Sequence, residues 1–448
     1  MSGKHPWILL AALLALGAAA TASCGDDGGG GNDGDADVIA TPDGDATTTS
    51  SPDSRLDVSP TGRPYLLGAR AEGYDITRSA FPRPASASAT PLVDELVEIG
   101  VAPLDLYGIP WSSFSGPDNL PTDLPGPWLT GLDAAVAAAK GSGRPVVLAL
   151  SPLATSFDTL AAEAGETGGN LTLNPSWKPY CYDPGTDGNP TKWRDAYAGY
   201  VVWAIRRYQP AFVILGERLN LYEAACGAAP YASLKGFVSE ANTRVGAITD
   251  VAQPATIVSV DVEDLYGFPK KAGRCVAVTP QACFDTRKGL LDGLDADVVG
   301  LESYPAPYVD TLGTIPSDWL SRVVAAAGKP TAVVGTSLPA TSMSHREGVC
   351  LPILTSSEAI QASWLDQVLA TAENARMPLV IWRSLVDLYD AGVVSSCPCA
   401  GDTGLCQHLD QLGGAADVVR FRLAGGLVDV DGTERQAAAV WRQAKATP

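Results

Sequence analysis

The chain has only three histidines among its 448 residues, His5, His345 and His408, and no Gly-x-Ser-x-Gly stretch stands near any of them. That scarcity excludes a Ser-His-Asp triad and a histidine-built metal centre. Basic residues are few as well: 31 Lys and Arg face 50 Asp and Glu, for a formal charge of −19. Nucleic-acid partners demand clustered cations, so this balance excludes them. No P-loop is present, and the first strand-like stretch, "LLGARAEGYD", lacks the glycine spacing of a dinucleotide site. No cofactor is therefore expected. Long apolar runs are missing too, with one exception, "WILLAALLALGAAA" from Trp7 to Ala20.

That run follows Lys4 and His5 and ends in small residues before Cys24, the order of a secretory signal rather than a membrane span. The "TASC" stretch resembles a bacterial lipoprotein processing site. The resemblance implies removal of residues 1–23, a lipid on Cys24 and anchoring at the cell envelope. The alternative is cleavage by an ordinary signal peptidase and a secreted or periplasmic protein. From 24 to 60 the chain is Gly, Asp, Thr, Ser and Pro with almost no large apolar residue, so it cannot bury enough surface to offset its ordering entropy. A disordered tether is expected there, carrying nine acids against Arg55.

The remaining cysteines number eight: Cys181, Cys226, Cys275, Cys283, Cys350, Cys397, Cys399 and Cys406. An even number in an oxidising compartment predicts disulfides, all eight cysteines being read as loop residues, with Cys275 and Cys283 the expected pair because both lie within one short loop. "CPC" with Cys406 and His408 offers a zinc reading, which the exported context and the lack of histidine oppose, so no metal is expected.

From 61 to 448 eight apolar runs alternate with segments of helical periodicity. "PYLLGARA", "VAPLDLYG", "PVVLALSP", "AFVILGER", "ATIVSVDVE", "ADVVGLESYP", "PTAVVGTS" and "PLVIWRSLVD" are nearly continuous in Val, Ile and Leu, as strands covered on both faces are. The segments between them, such as "WRDAYAGYVVWAIRRYQP", read as amphipathic helices. Eight strand-helix units in one domain predict an α/β fold, a (β/α)8 TIM barrel with disulfide-stapled loop insertions. An open doubly wound sheet is the alternative. In such a barrel the site is built from C-terminal strand ends and the loops after them, which selects Arg70, Glu72, Asp105, Trp111, Glu217 to Tyr222, Asp261, Glu263, Glu302, Tyr304, Gly335 to Ser337, Trp382 and Asp387.

The stretches "GERLNLY", "DVVGLESYP", "KPTAVVGTSLPA" and "PLVIWRSLVDLYD" resemble, on the right strands and in the right order, the retaining clan A glycoside hydrolases. Members commonly show Gly-Asn-Glu at strand four, Ser-Tyr-Pro at the end of strand six, Lys-Pro leading into Glu-Thr-Gly at strand seven and an indole at strand eight. The chemistry needs two carboxyl groups about 5 to 5.5 Å apart, one a nucleophile and one an acid then base. The resemblance puts Arg218 where the acid/base glutamate belongs and Gly335 where the nucleophile belongs. A guanidinium with a pKa above about 12 delivers no proton, and glycine has nothing to attack with. The expectation is a non-hydrolytic, carbohydrate-binding or structural barrel, in which Arg218 pairs with Glu217 or Glu302, or clamps an acidic sugar. The alternative is an active glycosidase on a β-linked polysaccharide using Glu217 and Glu302, by an inverting route with the two carboxyls about 6.5 to 9.5 Å apart. Glu72, Trp111, Arg218, Asn220, Tyr222, Tyr304 and Trp382 are the expected substrate contacts, with aromatic rings stacking on sugar C–H faces. A monomer with a polysaccharide or oligosaccharide ligand is the expected form.

Overall fold

A computed structural model of the chain describes Leu56 and residues 63–447, apart from 71–95, 105–107, 115–120, 122, 142, 155–156, 165–169, 172–179, 183–189, 269–274, 276–277, 307, 310, 347–349 and 388–423. Eight parallel strands close into a barrel: β1 Leu66–Arg70, β2 Ile99–Pro103, β3 Val146–Ala149, β4 Phe212–Gly216, β5 Ala255–Asp261, β6 Val298–Ser303, β7 Thr331–Thr336 and β8 Leu379–Trp382. Closure is direct, since Leu66 of β1 pairs with Leu379 of β8 while Gly68 pairs with Ile99 of β2. The predicted (β/α)8 barrel is therefore the fold, and the open sheet is excluded because each of the eight strands has two neighbours.

Side-chain alternation divides each strand between two cores. Leu66, Ile99, Val101, Val147, Ala149, Phe212, Ile214, Ala255, Ile257, Val298, Ala332, Val334, Leu379 and Ile381 fill the barrel interior. The intervening residues, such as Leu67, Leu148, Val213, Val258 and Val380, pack outward against the helices. Both faces of every strand are thus apolar, which is why the runs read as continuous Val, Ile and Leu.

Among the described residues the helix ring contains α1 Gly126–Lys140, α2 Pro190–Tyr208, α3 Asn220–Cys226, α4 Ala228–Gly246, α5 Val262–Leu265, α6 Pro280–Arg287, α7 Trp319–Ala327, α8 Glu358–Asn374 and α9 Gln436–Ala446. Helix α1 lies so close to β2 that a β-carbon on Gly100 would overlap the Ala139 backbone. Helix α9 is tied to the residues that flank β1 and lead into β2. The Trp441 indole N–H donates to the Leu96 carbonyl at 3.0 Å, and Arg63 donates to the Ala444 carbonyl at 3.0 Å. None of the described helices is long and apolar enough to cross a membrane.

Two disulfides are present among the described residues. Cys181–Cys226 joins the loop after β3 to the end of α3, and Cys275–Cys283 joins the loop after α5 to α6. The first spans 45 residues, a loop whose closure in the unfolded chain is worth on the order of 4 kcal/mol in the chain-entropy account. Reading all eight cysteines as loop residues is corrected: Cys226 ends a helix and Cys283 lies inside one. The side chain of Cys350, and Cys397, Cys399, Cys406 and His408, lie outside the described residues. So do the expected signal, Cys24 and, apart from Leu56, the expected tether.

Candidate functional site

The barrel interior changes character at the C-terminal ends of its strands. Leu66 and Gly68 face inward on β1, and the same parity brings in Arg70. On β5 it carries Ala255 and Ile257 on to Ser259 and Asp261, on β6 Val298 and Gly300 on to Glu302, and past β8 Leu379 and Ile381 on to Arg383. The top layer is thus charged where the layers beneath are apolar. A buried charge is costly unless it is paired.

The pairing is specific. Arg70 forms an ion pair with Glu217, the residue that follows β4. Arg218 pairs instead with Asp261, through a 2.9 Å bond from its Nε and a second contact from its Nη2. Both partners of the second pair are buried, Asp261 completely. Arg218 sits in the left-handed backbone region, φ +52°, which is costly for a residue with a β-carbon. Its N–H donates to the Ser259 hydroxyl at 2.8 Å, and that hydroxyl donates to Glu302 Oε1 at 2.7 Å. The twist turns the side chain of Arg218 away from Glu217 and towards β5. Rings stack on the guanidinium, with Phe157 at 5.0 Å and Tyr304 at 5.8 Å from ring centre to Cζ.

Around Asp261 the polar web is complete. Its Oδ1 accepts the Asp264 N–H at 2.7 Å as the N-cap of α5. Asn220 accepts the Asp261 N–H at 2.7 Å, and its amide donates to the Asp261 carbonyl and to Asp264. Arg287 donates to Asp264 at 2.6 Å.

Two carboxyls at the mouth differ from this. Glu302 is buried, and its Oε2 has no hydrogen-bond partner among the described residues. Burial, and next the charge of Glu217, push its pKa upward against the pull of Arg218, Arg383 and Arg70. Glu263 accepts from the Ser303 hydroxyl at 2.6 Å with one oxygen, while the other has no partner among the described residues. Burial and the neighbouring Asp261 push Glu263 up to about 8.

That shift gives a stability prediction. A carboxyl raised in the folded state from an ordinary 4.5 holds its proton where the unfolded chain has lost it, so folding weakens as pH rises. The penalty is absent below pH 4.5, grows between 4.5 and about 8, and is complete above that. Urea unfolding across this range should show stability falling towards pH 8, and Glu263→Gln should flatten the profile. A wild-type profile that rises through the same window would contradict a neutral Glu263.

Several expected substrate contacts are corrected by burial. Trp111 is a core residue, its indole N–H donating to the Ala161 carbonyl at 2.9 Å and its ring 4.9 Å from Trp193. Trp382 is fully enclosed, with its indole N–H on the Gly425 carbonyl at 2.8 Å. Tyr222 and Asn220 are also fully enclosed. These four support the mouth and expose no face for stacking. Glu72 lies outside the described residues. The expected partner of Arg218 is corrected too, because Arg70 holds Glu217 and Asp261 takes the arginine. Tyr304, Glu302, Glu217 and Arg218 do come together.

Gly335 stands opposite Glu302 in the barrel register. A β-carbon there would overlap the Tyr304 hydroxyl and lie 3.2 Å from Glu302 Oε2. The Tyr304 hydroxyl, enclosed and without a partner among the described residues, thus fills the space where a side chain on β7 would begin. Sequence reasoning missed Arg383, Ser259 and Phe157. Arg383 was findable, since it continues the inward parity of Leu379 and Ile381. Among the described residues no group of His, Cys, Asp and Glu is arranged to hold a metal.

Among solved structures, GH5_18 from Bifidobacterium longum subsp. longum is similar, with a TM-score of 0.50 and 12% identity over 85% of this chain and 79% of that one. The likeness is one of fold. Similar too are a fungal beta-1,4-galactanase, with a TM-score of 0.43, 12% identity and coverage of 79% and 89%, and the GH53 catalytic domain of Ignisphaera aggregans, with 0.37, 15%, 84% and 98%. No family model matches the sequence, and no curated protein matches it. What these structures share with the chain is the barrel, and a barrel alone does not determine function.

Proposed function

We propose that this chain is a non-hydrolytic, carbohydrate-binding barrel held at the cell envelope by a lipid on Cys24. The observation that carries the reading is the fate of the two positions that would do the chemistry. Arg218 stands at the acid/base position with its charge committed to Asp261, and Gly335 stands at the nucleophile position with its side-chain space taken by the Tyr304 hydroxyl. A displacement needs a group to attack and a group to donate a proton, and neither position supplies one. The leader sequence and the two disulfides support export to an oxidising compartment.

One observation favours the active alternative. Glu217 is paired with Arg70 while neighbouring Glu302 is pushed towards its neutral form, and two carboxyls with opposite protonation are the arrangement an acid and a base require. The test therefore has two arms. The full-length protein, purified in detergent, is offered a panel of β-linked polysaccharides with product detection, and a fluoro-sugar trap with mass spectrometry. No cleavage and no adduct are expected, alongside measurable binding on a glycan array. Cleavage abolished by Glu302→Gln would establish the alternative instead.

A further inference from the structure

We infer that the mouth selects an acidic sugar, with Arg383 as the clamp for a uronate carboxylate and Tyr304 and Glu302 as the groups that read the adjoining hydroxyls. This rests on the carbohydrate-binding reading above and names the ligand class. Of the arginines at the mouth, Arg70 is held by Glu217 and Arg218 by Asp261. Arg383 has no carboxylate partner among the described residues. Its backbone N–H donates to the Thr336 carbonyl at 2.9 Å, and its guanidinium lies 5.0 Å from the centre of the Tyr304 ring. A ring face orients a guanidinium but neutralises it far less than a carboxylate does. A half-buried guanidinium held this way keeps its fork of donors for an anion brought from outside.

The second observation is independent of the arginine. Glu302 Oε2 and the Tyr304 hydroxyl are both enclosed and unpartnered among the described residues, and they flank the same point beside Gly335. Buried polar atoms normally find partners, so these two neighbouring atoms hold hydrogen-bonding capacity that a ligand seated against Tyr304 completes. The aromatic face of Tyr304 links the two halves, since the ring that carries the hydroxyl also seats Arg383. Glu302 does not repel an arriving carboxylate in its neutral form, the form that burial and Glu217 favour. A planar carboxylate matches the planar fork of arginine through two parallel hydrogen bonds, which is why a uronate fits better than a neutral hexose.

The test is a matched panel of oligouronides, from polygalacturonate, alginate and glucuronoxylan, each beside its carboxyl-reduced neutral counterpart, titrated calorimetrically into the full-length protein. At least one acidic member should bind about 10- to 100-fold more tightly than its reduced partner, the range expected of a charge-assisted bidentate contact. Arg383→Gln should erase that difference while leaving thermal unfolding near wild type, and Arg383→Lys should restore part of it. If Arg383→Gln proves unfolded, the lysine variant and the wild-type acid-to-neutral ratio still decide the matter. Equal binding of acidic and reduced forms would overturn the clamp and leave the carbohydrate reading standing. Binding to no member, acidic or neutral, would overturn both. A preference that survives Arg383→Gln would place the clamp elsewhere.

Discussion

The Asp261→Asn protein should unfold with about 3–5 kcal/mol less stability than the wild type, the cost of leaving a buried charge without its partner. Asparagine is the informative replacement because it keeps the shape and the oxygen that accepts the Asp264 N–H, so the cap of α5 survives, while Oδ2, the acceptor of both Arg218 bonds, becomes an amide NH2 that carries no charge and accepts neither. What remains is the Arg218 guanidinium, itself buried, held between Phe157 and Tyr304 and stripped of the carboxylate it was bonded to. Replacing both partners should recover most of the loss. The double variant Arg218→Met, Asp261→Asn removes the stranded charge and fills the space between the rings with an apolar chain. Urea denaturation of the two single variants and the double variant forms the cycle that isolates the pair. A cost under about 1 kcal/mol for Asp261→Asn would show a pair screened by solvent, as surface ion pairs are, and would remove the argument that the charge of Arg218 is committed.

The barrel itself was legible because its strands obey one simple rule. A parallel strand covered on both faces has no polar positions to spare, so all eight showed as runs of Val, Ile and Leu, and their order gave the strand ends where the site lies. The charged top layer was legible as a set of residues but not as a set of bonds. Which carboxylate meets Arg218 depends on a left-handed backbone angle at one residue, and no spacing rule encodes it. The aromatics failed for a different reason. Trp111, Tyr222 and Trp382 follow strand ends as ligand-stacking rings do, yet rings this large are also what seals a barrel against its helix ring, and all three are enclosed. The cysteines were half legible: the 275–283 pair followed from proximity, whereas the 181–226 pair links segments 45 residues apart.

These differences bear on what the mouth can do. A hydrolytic pair works because one carboxylate is free to attack or to accept a proton while the other holds its proton. Here two of the four carboxylates around the mouth, Glu217 and Asp261, are ion-paired to arginines, and the other two, Glu263 and Glu302, are held in burial that favours their neutral forms. Fixed pairs give rigidity and a defined set of donors, which suits recognition.

Gly335→Ala should destabilise the barrel by about 1–3 kcal/mol, far more than a single methyl group ordinarily costs at the end of a strand, because the site is overpacked as soon as a β-carbon exists. The methyl group would overlap the Tyr304 hydroxyl and crowd Glu302, so the tyrosine must leave its seat between Arg218 and Arg383. The Tyr304→Phe variant separates this from a general intolerance of β7 to substitution. Alone, it removes an enclosed hydroxyl that has no partner among the described residues and should be close to neutral in stability. Combined with Gly335→Ala, it takes away the atom that clashes and should restore most of the lost stability, a favourable coupling that urea denaturation of the four proteins can measure directly. The same cycle bears on function. If Gly335→Ala is tolerated without the tyrosine change, the space beside Gly335 is open, and a side chain introduced there has room to extend into the mouth. If the alanine is tolerated only with Tyr304→Phe, the tyrosine hydroxyl is the occupant of that space, and no side chain on this strand can act on a sugar while Tyr304 stays where it is.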